Sequence, residues 1–191
     1  MASTTTEDPD IKVTLEDLPI TFRVKYVGCE VARGIWGIKY TRRPVDIMVS
    51  AAKRKTPKQP LTQCNLKVST EGITVDIIGS QSNLNNWSYP IDTISYGVQD
   101  IVFNRVFAMI VVKDEEHPNP FEVHAFVCDS RATARKLTYA LAAAFQEYSR
   151  VVGATGKTSQ TDSITPTRQR FAIDLRSPEQ QAGDEEEETE A

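Results

Sequence analysis

Cysteine is scarce in this chain. Its three thiols, Cys29, Cys64 and Cys128, are odd in number, far apart and set in apolar or alternating runs. That argues against a disulfide scaffold and for buried free thiols in a reducing compartment. Histidine is scarcer: His117 reads as a loop residue and His124 as facing outward from its strand, and no Cys or carboxylate completes a metal geometry around them. No metal site is expected. No run approaches the roughly 20 apolar residues of a membrane helix. The acidic, polar start lacks the basic flank and apolar stretch of a secretory signal. A soluble, cytoplasmic chain is therefore expected, in which Asn86-Trp87-Ser88 is an unused glycosylation pattern. Also missing are a nucleophile with its base, paired acids and any cofactor fingerprint. The stretch Gly153-Ala154-Thr155-Gly156-Lys157-Thr158 imitates a phosphate-binding loop. It holds two residues between its glycines where that motif needs four, and it follows a helix rather than a strand. No catalytic residue, no cofactor and no nucleic-acid partner is expected; the chain reads as a non-enzyme.

What is present suits one folded unit with polar ends: 40% of residues are hydrophobic and 25% charged. The net charge of -4 is unevenly spread. Residues 1–19 carry five acids against one Lys, residues 184–191 carry six acids and no base, and the body between holds 21 bases against 15 acids. A basic body suits an anionic partner such as a phospholipid headgroup, although a solvated surface of mixed charge is the commoner reading.

From Ile20 onward, Phe22, Val24 and Tyr26 alternate with polar residues, the period-two pattern of a half-buried strand, until Gly28 and Gly34 interrupt it. Pro44, at a plausible first helical position, opens a short amphipathic helix marked by Val45, Met48, Val49 and Ala52. It ends in Lys53, Arg54 and Lys55, where basic charge complements the helix dipole. Strands are expected at 63–69, 73–78, 87–91, 93–99, 106–112 and 121–127, the first two joined through Thr70-Glu71-Gly72 and 79–86 forming a polar loop. The run 106–112 is almost continuously β-branched and apolar, so it should be central. Asp129-Ser130 then caps a long helix whose face is Ala134, Leu137, Leu141, Ala144, Phe145, Tyr148 and Val152, closed by Gly153. Three regions follow: a flexible acidic segment at 1–19, a domain at 20–152, and a tail at 153–191 too rich in Ser, Thr, Pro and Glu to repay its ordering entropy. The tail's apolar island is Phe171, Ile173 and Leu175, a candidate adaptor-binding segment, and Thr165-Pro166 and Ser177-Pro178 are candidate phosphorylation sites.

Strand, short helix, about six strands, long helix: this order accompanies particular words in the text. They are Lys25-Tyr26-Val27-Gly28, Ala32-Arg33-Gly34, Ile94-Ser95 leading to Gln99-Asp100, Arg105-Val106-Phe107-Ala108-Met109-Ile110, and Phe145 near the end of the last helix. Together they resemble the phosphotyrosine-binding (PTB) family over about residues 20–152, closest in flavour to its Disabled, Numb and lipoprotein-receptor-adaptor branches. The resemblance implies an α+β, PH-like fold: a seven-stranded antiparallel β-sandwich of two nearly orthogonal sheets, a short helix after the first strand and a long C-terminal capping helix. It also implies a monomeric cytoplasmic adaptor that binds NPxY-type peptides of receptor tails as an added strand on the fifth strand.

The implied peptide contacts are Ile94, Ser95, Tyr96, Gly97 and Val98 on that strand and Leu141, Phe145 and Tyr148 on the last helix. Ser95 either donates to the peptide turn or faces solvent. Gly97 either permits close backbone approach or marks a bulge. Phe145 either packs on the Asn-Pro turn of the ligand or belongs to the core, and Leu141 and Tyr148 are core or groove wall. Lys39, Arg42, Arg43 and Arg105 are candidates for a phosphate pocket, but the Disabled-like wording favours binding without tyrosine phosphorylation. Lys25, Lys39, Arg42, Arg43, Lys53, Arg54 and Lys55 form the basic cluster where Disabled-type relatives hold phosphoinositide headgroups, which would recruit the chain to the inner face of the plasma membrane. The main rival is a lipid-binding PH-type module with a vestigial groove; a weaker one is a scaffold subunit bound through its tail. Asn119-Pro120-Phe121 spells a peptide that endocytic EH domains bind, but it sits between strands with Phe121 expected to be buried.

Overall fold

The computed structural model describes residues 11–55, 59–79, 86–113, 116–155 and 172–173. The Thr165-Pro166 and Ser177-Pro178 pairs, Phe171, Leu175, the acidic run at 184–190 and residues 80–85 of the polar loop lie outside them. Strand β1 (Ile20–Val31) leads to helix α1 (Ile38–Lys55). Strands β2 (Thr62–Ser69), β3 (Gly72–Ile77), β4 (Asn86–Pro90), β5 (Ile94–Gln99), β6 (Val106–Val112) and β7 (Phe121–Val127) follow, then helix α2 (Arg131–Thr155) and a two-residue strand β8 (Ala172–Ile173). Seven antiparallel strands and a C-terminal helix give the PH-like fold expected. The hydrogen bonding does not divide into two separate sheets, however. It runs unbroken in the order β4-β3-β2-β1-β7-β6-β5-β8.

The twelve-residue β1 explains this continuity. Residues 20–26 pair with β2 and residues 25–31 with β7, with a register shift between Tyr26 and Gly28. A bulge bends a strand and increases its twist, so one ladder folds over on itself and encloses a core. Phe22 and Val24 of β1, Leu66 of β2, Ile73 of β3, Met109 of β6 and Phe126 of β7 meet there with Leu137, Leu141 and Phe145 of α2. The opposite face of β5, β6 and β7 carries Tyr96, Val98, Ala108, Ile110, Val123 and Ala125, and Val45, Met48 and Val49 of α1 cover it. Strand β6 is thus buried on both faces, which is why its sequence is a continuous apolar run rather than an alternation.

Both helices depart from the sequence expectation at one end. Helix α1 starts at Ile38, with Pro44 inside it rather than at its first position. Ile38 and Thr41 extend the buried stripe of Pro44, Val45 and Met48 backward at helical spacing, and Thr41 Oγ1 donates to the Ile38 carbonyl at 3.0 Å. Helix α2 begins after Ser130, whose Oγ accepts the Thr133 amide at 3.0 Å, and runs through Gly153 to Thr155. No helix among the described residues is long and apolar enough to cross a membrane.

Candidate peptide-binding site

Strand β5 is the last full strand on its side of the sheet. Its inner edge pairs with β6, and its outer edge pairs in parallel with β8, Tyr96 opposite Ala172 and Gly97 opposite Ile173. Strand β8 also lies against α2. The gap between β5 and α2 is therefore wide enough for one extended segment, and the segment seated in it belongs to the tail, where no order was expected.

The side chains of β5 are turned away from that gap or buried beneath it. Ile94 joins the inner core, while Tyr96 and Val98 face α1. Ser95 resolves differently from both of its sequence readings: it is buried, and its Oγ donates to the carbonyls of Ile35 at 2.7 Å and Ile110 at 3.4 Å. The register shift falls between Ile94 and Tyr96, so the bulge is at Ser95 and not at Gly97. At Gly97 a Cβ would come within 2.7 Å of Leu141 Cδ2, so the missing side chain is what lets α2 approach the strand. What β5 offers a ligand is backbone.

Leu141 is fully buried and Phe145 is 5% exposed, both within the inner core; Tyr148 is half-buried beside it. Further along α2, Val151 and Val152 are exposed. On the α1 side of β5, the loop between β1 and α1 holds Ile35 and Trp36, exposed at 38% and 47%. The Trp36 ring stands edge-on to Tyr96 with centroids 5.8 Å apart. Sequence reasoning passed over this pair because loops are read for turn chemistry. The available signal was a large aromatic between Gly34 and Gly37, with no periodic partner to bury it.

The sequence model of the family described as "Phosphotyrosine interaction domain (PTB/PID)" matches residues 22–152. The chain belongs to the PTB family. Human low density lipoprotein receptor adapter protein 1 is 31% identical over 125 residues, which are 65% of this chain and 39% of that protein. Adapter protein 1-B of Xenopus laevis is 32% identical over 125 residues, 65% of this chain and 38% of that protein. The chain thus spans well under half the length of these relatives. The solution structure of the C-terminal phosphotyrosine interaction domain of APBB2 from mouse superposes with a TM-score of 0.52 at 20% identity, covering 76% of this chain and 96% of that one, a likeness of fold.

The seven candidate anion-binding residues of this PTB domain do not form one cluster. Lys39 and Arg43 line a cavity of about 920 Å³ with Arg33, Tyr40 and Asn119 near the start of α1. Lys53, Arg54 and Lys55 stand at the other end of that helix, roughly 15–24 Å further along. Lys25 borders a separate cavity with Arg23 and Arg105, and Arg105 Nε donates to the Cys128 carbonyl at 3.1 Å. Arg42 is committed to ion pairs with Asp46 and Asp100. The Asn119-Pro120-Phe121 stretch is held in the fold, Pro120 accepting from the Lys113 amide at 2.6 Å and Phe121 from the Ala32 amide at 2.9 Å. Phe121 is half-buried.

Three expectations about thiols and histidines are corrected. His124 does not face outward: it is 6% exposed, on the same inner side of β7 as Phe126. Strand β7 is covered on both faces, so alternation with Val123 and Ala125 does not send its even positions to solvent. Cys29 is exposed, whereas Cys64 and Cys128 are buried, because β1 reaches the open end of the sheet there. Cys29 and Glu122 also stand beside His124, supplying the Cys and carboxylate neighbours that the sequence spacing did not reveal. Burial lowers the His124 pKa below its usual range against the pull of the Glu122 carboxylate. Although Cys29 is exposed as a residue, burial of its sulfur, with Glu122 nearby, pushes the thiol up to about 12.

Proposed function

We propose that this PTB domain captures an NPxY-type peptide of a receptor tail as an added strand on β5, beside α2. It thereby serves in the cytoplasm as an adaptor between such receptors and trafficking or signalling machinery. The observation that carries the reading is that the outer edge of β5 already accepts an added strand, from this chain's own tail. An open strand edge is a liability that folds normally cover, and here the two-residue β8 covers part of it. Main-chain hydrogen bonds along Tyr96 and Gly97 supply affinity, and Trp36, Ile35 and Tyr148 supply the side-chain contacts. An NPxY turn loses little entropy on docking because Asn caps its own backbone and Pro fixes a dihedral, which supports an affinity of roughly micromolar for so short a segment. Phosphate is not required in this reading: Arg42, the candidate tied to the end of β5 through Asp100, is already neutralised by two carboxylates.

The peptide and the tail then compete for one edge. Substituting both Ala172→Pro and Ile173→Pro in the full chain removes whichever amide β8 donates to β5, and should tighten binding of an FxNPxY peptide by about threefold to tenfold, the factor by which a tethered weak occupant lowers apparent affinity. Fluorescence polarisation with a labelled peptide reads this directly, and no change would mean that ligand and tail occupy different places.

A second reading is favoured by the cavity holding Arg33, Lys39 and Arg43, which suits a phosphoinositide headgroup at the inner face of the plasma membrane. Lys39→Glu with Arg43→Glu should abolish sedimentation with phosphoinositide-containing liposomes while peptide binding persists. Unchanged sedimentation would dismiss this site.

A further inference from the structure

Where β1 and β7 run together at the open end of the sheet, Cys29 lies directly opposite His124 in the antiparallel register. Glu122 precedes His124 by two positions on the same face. Cys29 Sγ is 3.7 Å from His124 Nε2, Glu122 Oε2 is 3.3 Å from the same nitrogen, and one donor atom from each residue lies within 4.8 Å of the others. These spacings have a specific meaning. With Zn–S near 2.3 Å and Zn–N and Zn–O near 2.0–2.2 Å, a tetrahedral ion separates its N and S ligands by about 3.5 Å and its N and O ligands by about 3.3 Å. The two separations from His124 Nε2, 3.7 Å to sulfur and 3.3 Å to oxygen, thus already lie close to those such an ion imposes, and the third pair is within 4.8 Å.

The surroundings are those of a supported site. The other ring nitrogen, Nδ1, is 3.1 Å from the hydroxyl of Tyr26 and 3.1 Å from that of Tyr89, which fixes the ring with Nε2 toward Cys29 and Glu122. Lys113 holds the second oxygen of Glu122. A cavity of about 570 Å³, walled by Tyr26, Trp87 and Tyr89, opens beside His124 and Glu122 and leaves room for a fourth ligand. The Glu122 carboxylate also contacts both Cys29 and His124, so all three donor groups converge on one point.

We propose that Cys29, Glu122 and His124 bind one divalent cation of borderline softness, Zn²⁺ foremost, with water in the fourth position. Thiolate and imidazole select such an ion over Mg²⁺ or Ca²⁺. On binding, the Cys29 thiol releases its proton to solvent, and the thiolate and carboxylate together balance the charge of the ion. The ion ties the end of β1 to the start of β7, at the opposite end of β7 from the point where α2 leaves. This site is independent of the peptide groove.

The test is a titration of the reduced, metal-free full chain with Co²⁺. One equivalent should produce the near-ultraviolet thiolate-to-cobalt charge-transfer band and the intense visible bands of a tetrahedral site, both removed by Zn²⁺. Cys29→Ser, at an exposed position, should abolish the charge-transfer band and weaken Zn²⁺ binding by at least about 100-fold, more than is typical for loss of a supporting group. His124→Gln should weaken it similarly. Zn²⁺ should raise the melting temperature of the wild-type chain and leave that of Cys29→Ser unchanged. Absence of the charge-transfer band in the wild type, or its persistence in Cys29→Ser, would overturn the proposal.

Discussion

Replacing Trp36 by alanine is expected to weaken capture of an FxNPxY peptide by about 30-fold, or about 2 kcal/mol, while the domain stays folded. Trp36 sits in the loop between Gly34 and Gly37, the latter at φ +104°, a backbone conformation that keeps the turn tight and the ring outside it. It leaves 47% of its surface exposed and touches the fold through the edge of Tyr96. An exposed Trp next to an exposed Ile at the border of an open strand is poorly explained by folding alone, since neither side chain gains much burial there. Both would gain it in the proposed complex, with a peptide along β5. Truncated tryptophans are among the costliest interface changes, which sets the magnitude. Fluorescence polarisation gives the affinity and far-ultraviolet circular dichroism the state of the fold. An unchanged affinity in a folded variant would place the ligand's turn elsewhere. Phe145→Ala is a poorer probe: Phe145 is core, and its truncation costs about 3–5 kcal/mol of stability, confounding any loss of binding.

Asp100→Ala should cost about 3 kcal/mol of stability, a greater loss than most single substitutions cause. Asp100 follows β5 and is 1% exposed. One oxygen pairs with Arg42 Nη1, and the other accepts the amides of Val102 at 3.0 Å and Phe103 at 2.7 Å. Removing it leaves two amides without partners and an Arg42 guanidinium that retains only Asp46. Arg42 also faces the Phe103 ring at 5.8 Å, so the turn that ends β5 and the helix that covers it depend on the same carboxylate. The midpoint of urea unfolding should fall with no change in slope, reporting lost stability rather than a looser native state. A loss below about 1 kcal/mol would mean that this network is hydrated and worth no more than a surface pair.

Much of the fold was legible in the sequence because its strands are bounded by turn residues and its central strand is covered twice. The run 106–112 carries both signals, and β6 occupies the same residues. The start of α1 was hidden by the polar stretch Lys39 to Arg43, in which Thr41 belongs to the buried face, with Ile38 just before it. His124 was misassigned because alternation identifies two faces but not whether one of them is wet. The groove itself came from the family words rather than from periodicity: β5 has no exposed side chain to announce it, and its function rests on backbone groups that every strand possesses. Trp36 carried a local signal that was not used. The pairing of Ala172–Ile173 with β5 joins residues more than seventy positions apart, and the proximity of Cys29 to His124 spans 95. Separations of that kind leave no mark in local pattern.

The central claim is that a peptide occupies the outer edge of β5 beside α2. Titrating the isotopically labelled full chain with an FxNPxY peptide, phosphorylated and not, and following its amide signals by NMR tests it most directly. Roughly micromolar binding of both forms is expected, with changes concentrated at Tyr96, Gly97, Trp36 and Tyr148 and at Ala172 and Ile173 as β8 leaves the β5 edge. Changes confined to Lys39, Arg43 and their neighbours, or no binding of either form at about 1 mM, far weaker than such a module requires, would contradict it.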